Sequence, residues 1–264
     1  MSFNFYRKNW QQLSRNHFLK VANQYDTGRV FEQADFWARE IVACLPLSPG
    51  DRLLDLGCGT GLYTLPFAQL LPCAVVGLDP SPIMLAKAKV KAGSAISGWL
   101  QGQGETLPFP DSSFQAIFLS QVWHHLENGL ISAAEFYRVL KAGGGLFVKT
   151  FSHDQLRARW DITTVFPELL PLMLNIYPDI PDFVALFNQV GFANVGYKTH
   201  QKSDSLRPSV LLKIAEDELW SMFAYLSEQG YRTGSNYLQQ LIAETNDAPL
   251  PYDEMHLLIY AQKE

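Results

Sequence analysis

Residues 53–64 read LLDLGCGTGLYT, which sets Asp55 two residues ahead of three glycines at alternate positions, Gly57, Gly59 and Gly61. An apolar run, a tight glycine turn and a helical pattern together place backbone N–H groups and the positive end of a helix beside a ligand. Spacing separates the ligands such a loop can take. A P-loop needs G-x-x-x-x-G-K-[ST], and no lysine follows these glycines. A dinucleotide fingerprint, G-x-G-x-x-G, needs a third glycine where Leu62 stands, which weakens a nicotinamide-dependent oxidoreductase. Charge adds to this. Two unit charges about 5 Å apart at an effective dielectric of about 20 repel by roughly 3 kcal/mol, so Asp55 opposes a pyrophosphate and favours a cation.

The elements that must hold this loop follow from periodicity. Residues 51–151 alternate short apolar runs with helical patterns, the mark of βαβ units and a parallel sheet. Strands are expected at 52–56, 74–79, about 96–101, 114–120 and 145–151. Helices are expected at 62–71, from Ser81 and Pro82 to 92, and over 131–141 with Gly143 as a stop. Phe183, Leu186, Phe187 and Val190 give a further helix ended by Gly191, followed by strands at 193–201 and 256–262. Between those strands, Leu219, Met222, Phe223 and Leu226 form an apolar stripe, with Glu216, Asp217 and Glu218 suited to a helix N-terminus. Ala34, Trp37, Ala38, Ile41 and Leu45 share one helical face near the start. The expected organisation is an N-terminal helical segment (1–46), a core (47–202 and 255–264) and a helical insertion (203–254).

Composition narrows the function classes. The 264 residues suffice for a sizeable core, and 21 basic against 26 acidic residues give a net charge of -5, without a basic footprint for nucleic acid. Cys44, Cys58 and Cys73 have neither CxxC nor Cys/His metal spacing, so no metal is expected and a reduced, cytoplasmic setting fits. The N-terminus lacks the apolar core of a signal peptide, and the longest apolar run is broken by Pro171 and Pro178, so no membrane span is expected.

A ligand bearing an ammonium and a sulfonium meets the charge requirement of the loop, and S-adenosylmethionine is such a ligand. Here the sequence resembles the class I S-adenosylmethionine-dependent methyltransferases. The resemblance lies in LLDLGCGTGLYT, VVGLDPSPIMLAKAK, GQGETLPFPDSSFQAIFLSQVWHHL and VLKAGGGLFVKT, with a softer match at FNQVGF. It is closest to the small-molecule branch that includes the quinone-precursor C-methyltransferases. The implied fold is α/β: a Rossmann-like, doubly wound, seven-stranded sheet with the last strand antiparallel, carrying N-terminal helices and the insertion.

The resemblance also implies site residues. Asp55, Gly57, Cys58, Gly59 and Gly61 would surround the methionine half of the cofactor, and Asp79 would accept both ribose hydroxyls. Pro80 and Ile83 would line the adenine. In the segment with Gly104 and Glu105, Gln103 stands where the family usually has an acid. Ser120 and Gln121 would face the reacting methyl group. In NQYDTGR, Tyr25 would pack over the methionine chain and Arg29 would pair its carboxylate.

Methyl transfer needs a general base only where the acceptor must lose a proton. The titratable candidates are His124 and His125 after the fourth strand, and His153 with Asp154 after the fifth. Trp123 reads as core or as a ring face for a sulfonium. Lys87, Lys89 and Lys91 read as a solvated helix. Aromatics at both ends of the chain, Phe3, Phe5, Tyr6, Trp10 and Phe18, then Trp220, Phe223, Tyr225, Tyr231 and Tyr237, either pack on the sheet or form a lid over an apolar acceptor. The reading is transfer of a methyl group to a small, partly apolar molecule, with S-adenosylhomocysteine as product. A cofactor-binding module without activity is the alternative.

Overall fold

The computed structural model describes residues 13–14, 16–26, 34–92 and 98–264. Arg29, Phe3, Phe5, Tyr6 and Trp10 lie outside the described residues. The chain divides into two compact units. One holds Tyr25–Thr150, Ile180–Lys198 and Leu258–Glu264; the other holds Phe151–Asp179, Thr199–Leu257 and the described residues up to Gln24.

The first unit begins with α1 (Ala34–Cys44) and then alternates β1 (Arg52–Leu56), α2 (Thr64–Leu70), β2 (Ala74–Asp79), α3 (Pro82–Ala92) and β3 (Gly98–Gln101). β4 (Phe114–Ser120), α4 (Gly129–Val139) and β5 (Leu140–Thr150) complete the alternation. α7 (Ile180–Val190) follows later in the chain, and β6 (Ala193–Leu206) and β7 (Leu250–Gln262) close the sheet. The order of the seven strands is β3-β2-β1-β4-β5-β7-β6. β1 pairs in parallel with β2 and β4, and β4 with β5. β7 is antiparallel: Gly143 donates to the Lys263 carbonyl at 2.7 Å and Lys263 to that of Gly144 at 2.9 Å. The expected fold is therefore the observed one.

Apolar side chains cover both faces of the central strands, as parallel sheets require. On one face Trp37 and Ile41 of α1 pack with Phe67 of α2, Phe118 and Phe147. On the other, Trp123 meets Phe136, Phe183 and Phe187 edge-on with centroids 6.0, 5.1 and 5.4 Å away. Trp123 is 1% exposed and belongs to the core, which removes it as a ring face for a sulfonium.

The boundaries differ from expectation where local hydrogen bonds decide them. Asn128 caps α4 by accepting from Leu130 and Ile131, each at 3.1 Å, so the helix starts before the apolar pattern does. It ends at Val139, and β5 runs straight through the glycines at 143–145. β6 and β7 extend beyond the expected 193–201 and 256–262 because their outer halves are polar and exposed, leaving no hydropathy pattern to read. Gln201 and Ser203 both bond Asp253 there, at 2.9 and 3.0 Å.

The second unit is built from α5 (His153–Ala158), α6 (Leu169–Ile176), α8 (Pro208–Glu216) and α9 (Glu228–Thr245). Leu156, Val165, Phe166, Met173, Leu211 and Leu238 share one apolar core. Thus residues 151–179 and the segment 203–254 pack as one body. The α-helix expected to carry the Leu219, Met222, Phe223 and Leu226 stripe, with Glu216, Asp217 and Glu218 at its N-terminus, does not form. Glu218 adopts φ +48, its N–H bonds the Ala215 carbonyl at 3.1 Å, and the Leu219 N–H bonds that of Ile214 at 2.9 Å. This is a Schellman motif, so the acids 216–218 sit at a helix C-terminus and not at the N-terminus their charge suggested. Lys213 offsets the mismatch through a 2.8 Å ion pair with Asp217.

Among the described residues, only 169–190 reach the length and apolarity of a membrane-crossing helix, with mean hydropathy 1.2. That stretch is two helices, α6 and α7, with Tyr177–Asp179 between them.

Candidate active site

The glycine loop turns at the C-terminal edge of β1, with Gly57, Gly59 and Gly61 at φ +69, +54 and +83. Each is left-handed backbone that L side chains resist. Space distinguishes them. A Cβ on Gly57 would lie 2.3 Å from Val122, and one on Gly61 2.8 Å from Trp99, so both glycines are needed for packing. Among the described residues a Cβ on Gly59 would meet only Tyr25, at 3.8 Å, so the open side of the loop is at Gly59.

Four N–H groups of this loop are already engaged. Gly57 and Cys58 both donate to the Leu78 carbonyl, at 2.7 and 3.1 Å, and Gly61 donates to Cys58 at 2.8 Å. Gly59 donates to Asp79 Oδ2 at 2.8 Å, while Ser81 donates to Asp79 Oδ1 at 2.8 Å. A phosphate cradle needs free N–H donors. The loop offers acceptors and negative charge instead.

That charge is concentrated on two buried carboxyls. Burial pushes Asp55 up to about 7; the Thr64 hydroxyl, 2.5 Å from Oδ2, opposes the shift, and the negative charge of Asp79 adds to it. Burial likewise raises Asp79 to about 6 against the N–H bonds from Ser81 and Gly59. The Cys58 thiol between them is pushed up by its own burial and then by both acids. Two buried carboxyls whose partners among the described residues are a hydroxyl and backbone N–H groups, with no cation, mark a site short of positive charge. An ammonium and a sulfonium supply it, and the residues present fit S-adenosylmethionine.

The comparisons agree with this geometry. Residues 54–148 match the model of a methyltransferase domain. The chain is 31% identical over 206 residues to the demethylmenaquinone methyltransferase of Tropheryma whipplei, covering 70% of this chain and 85% of that protein. This chain is a class I S-adenosylmethionine-dependent methyltransferase. The ubiquinone/menaquinone biosynthesis C-methyltransferase of Geobacter sulfurreducens is 30% identical over 210 residues, covering 70% and 82% of the two chains. The fold is shared with phosphoethanolamine N-methyltransferase 2 of Haemonchus contortus, solved with S-adenosylmethionine, at TM-score 0.56 and 18% identity, covering 100% of this chain and 60% of that one.

The remaining expected site residues of the methyltransferase fall into three groups. Tyr25, Cys58, Gly59 and Asp79 come together at the loop. Pro80 is exposed and Ile83 partly buried just past Asp79, while Gln103 is exposed and bridges Thr106. Gly104 and Glu105 instead serve the start of α4. A Cβ on Gly104 would lie 2.7 Å from Leu126, and the Glu105 carboxylate takes the N–H of Glu127 at 2.6 Å and the Ser132 hydroxyl at 3.2 Å.

Ser120 and Gln121 stand at the end of β4. Gln121 has φ +55, and both polar atoms of its amide are buried with no partner among the described residues. A non-glycine residue held in the left-handed region with an unmet amide is a feature of binding sites.

The three histidines differ. His124 is buried, and burial, then the neighbouring His125, holds it well below the usual imidazole range, which makes it a weak base. The rings of His124 and His125 lie 4.0 Å apart. His153 Nε2 bonds the Tyr177 carbonyl at 2.8 Å, and its Nδ1 lies 3.7 Å from Asp179.

Asp26 is the residue that sequence reading passed over. It takes the Thr60 hydroxyl at 2.5 Å and the Lys91 ammonium at 2.8 Å, tying the Tyr25 segment to the glycine loop and to α3. Lys91 is thus anchored, unlike the solvated lysine its spacing suggested. The acid inside NQYDTGR was the available signal, but its partners lie 34 and 65 residues away.

Proposed function

We propose that the methyl acceptor is a small, partly apolar hydroxylated ring of the quinone-precursor class. The observation that carries this is the 31% identity to a demethylmenaquinone methyltransferase across 85% of that protein. The three free thiols, two of them buried, support a reduced, cytoplasmic setting.

S-adenosylmethionine supplies, when bound, an activated methyl carbon that an acceptor displaces in line from sulfur. The chain's own residues hold and shield the reactants. In this reading Asp79 accepts the ribose hydroxyls on the lone pairs left by Gly59 and Ser81, since each carboxylate oxygen can take more than one bond. Asp55 and the loop carbonyls at Gly57–Gly61 face the methionine half, with Tyr25 packed over Gly59. Pro80, Ile83 and Gln103 border the adenine. Ser120 and Gln121 face the methyl group, and the unmet Gln121 amide supports that role. Holding the acceptor near attack distance and excluding water carries most of the rate, because the methyl carbon is already activated. Of the candidate bases, burial makes His124 a weak proton acceptor near neutral pH.

The test is transfer from methyl-labelled S-adenosylmethionine to reduced demethylmenaquinone, with Gly59→Val as control. A Cβ at Gly59 meets no clash, but φ +54 strains a β-branched side chain, so the control fills the open side of the loop at a backbone cost and its fold is checked by circular dichroism. Label entering the organic phase with wild type and not with the control supports the proposal. Tight S-adenosylhomocysteine binding without transfer to this quinol would overturn the acceptor class.

A further inference from the structure

β5 carries lysines at both ends, and they are treated differently. Lys141 pairs with Asp51 at 3.1 Å. Lys149, at the C-terminal end, is 6% exposed and pairs with no carboxylate among the described residues. Its ammonium donates to the Tyr63 hydroxyl at 3.1 Å and stands over the rings of Trp37 and Tyr63, 5.4 and 5.5 Å from their centroids. Less buried lysines of the same unit, Lys91 and Lys198, both have acids at 2.8 and 2.7 Å. A cation taken out of water without a counter-charge is unfavourable unless something supplies one.

The position of Lys149 points to what supplies it. In the register of β4 and β5 it lies beside Ser120, and strand alternation puts both on the face of Phe118 and Phe147. This is the C-terminal edge of the sheet, where open α/β folds bind ligands. The backbone N–H of Gln121 donates to the Lys149 carbonyl at 2.9 Å, which fixes the residue carrying the unmet side-chain amide beside Lys149 and one residue from Ser120. Tyr63 comes directly after the glycine loop. Because its oxygen accepts from Lys149, its own O–H is left to donate elsewhere.

We propose that Lys149 and the Tyr63 hydroxyl form the binding point for an anionic oxygen carried by one of the two reactants. This rests on the methyl-transfer reading and names a feature of that same site. Two reactant groups have the required chemistry: the ionised hydroxyl of a phenol or enol acceptor, and the carboxylate of the methionine half. For the first, a fixed ammonium stabilises the ionised acceptor and raises its reactivity without a dedicated histidine base.

The experiment compares wild type with Lys149→Met, Lys149→Arg and Tyr63→Phe. Calorimetry measures S-adenosylhomocysteine and 5′-methylthioadenosine, which lacks the amino-acid end. Label transfer is measured into whichever fraction of a small-molecule extract the wild type labels. If the anion is the cofactor's carboxylate, Lys149→Met weakens S-adenosylhomocysteine about tenfold or more and leaves methylthioadenosine unchanged. If it is the acceptor's oxygen, both affinities hold, transfer falls about a hundredfold, its pH profile moves to higher pH, and Lys149→Arg restores part of it. Unchanged binding together with transfer within about twofold of wild type overturns the proposal. Should Lys149→Met fold poorly, Tyr63→Phe keeps the ring contacts and must show one of the two patterns in smaller measure, or the proposal fails. Wild type that binds no S-adenosylhomocysteine would instead refute the methyl-transfer reading itself.

Discussion

Gly59 and Asp79, 20 residues apart in the chain, are joined by a 2.8 Å hydrogen bond from backbone N–H to carboxylate. The bond fixes the open corner of the glycine loop against the end of β2. Asp79 thus holds the loop in shape as well as being the proposed ribose acceptor, and its removal acts on both.

Asp79→Ala should therefore weaken S-adenosylhomocysteine by at least about 1.5–3 kcal/mol, the scale of a hydrogen bond to a charged group. Asp79→Asn keeps one acceptor oxygen and should lose less. Titration calorimetry of the two variants checks this order, and equal losses would show that charge, rather than loop geometry, dominates.

The raised carboxyls make stability depend on pH. A carboxyl raised in the fold keeps a proton that the unfolded chain has already released, so its contribution is complete below its unfolded value near 3.8 and is lost as pH climbs through the folded value. Asp79, at about 6, acts earlier in that climb than Asp55, at about 7. Without ligand, stability should fall from about pH 4 to about pH 7, by up to about 1.4 kcal/mol per pH unit from Asp55, and level off above that. Asp55→Asn should flatten this, and S-adenosylmethionine should stabilise the wild type more at pH 8 than at pH 6. Urea midpoints across that range measure it; an equal slope in the variant would sink the assignment.

In the helical unit, Arg159 and Asp161 form a buried pair at 2.5 Å, their side chains 8% and 1% exposed. Burial works against the guanidinium charge, and Asp161 outweighs it. Phe151 and Trp220 face the guanidinium at 5.1 and 5.3 Å. Asp161→Ala leaves that charge uncompensated and should destabilise the protein by about 3–5 kcal/mol. The double change Arg159→Met with Asp161→Leu should recover most of the loss. Denaturant unfolding of both proteins decides.

Much of the sheet unit was legible because its signals are local. Residues 52–56, 74–79 and 114–120 are strands at the expected bounds, since continuous apolar runs between turn residues are what buried parallel strands require. The glycine loop was equally plain, and its spacing alone rejected a phosphate cradle. Elements decided by side-chain hydrogen bonds were not: Asn128 moved the start of α4, and the Schellman turn at Glu218 ended a helix that the apolar stripe seemed to continue.

The sequence by itself determined the strand order's raw material, the left-handed turn and the presence of acids at Asp55 and Asp79, because these depend on residue type and short spacing. Only the tertiary structure decided the rest. It buried both acids, which raises the proton affinity of each, joined Asp26 to Thr60 and Lys91, sent Glu105 to cap α4, put Trp123 in the core, and set Lys149 beside Ser120 without a counter-ion among the described residues. Burial and charge separation are properties of residues brought together from distant parts of the chain, and no local pattern carries them.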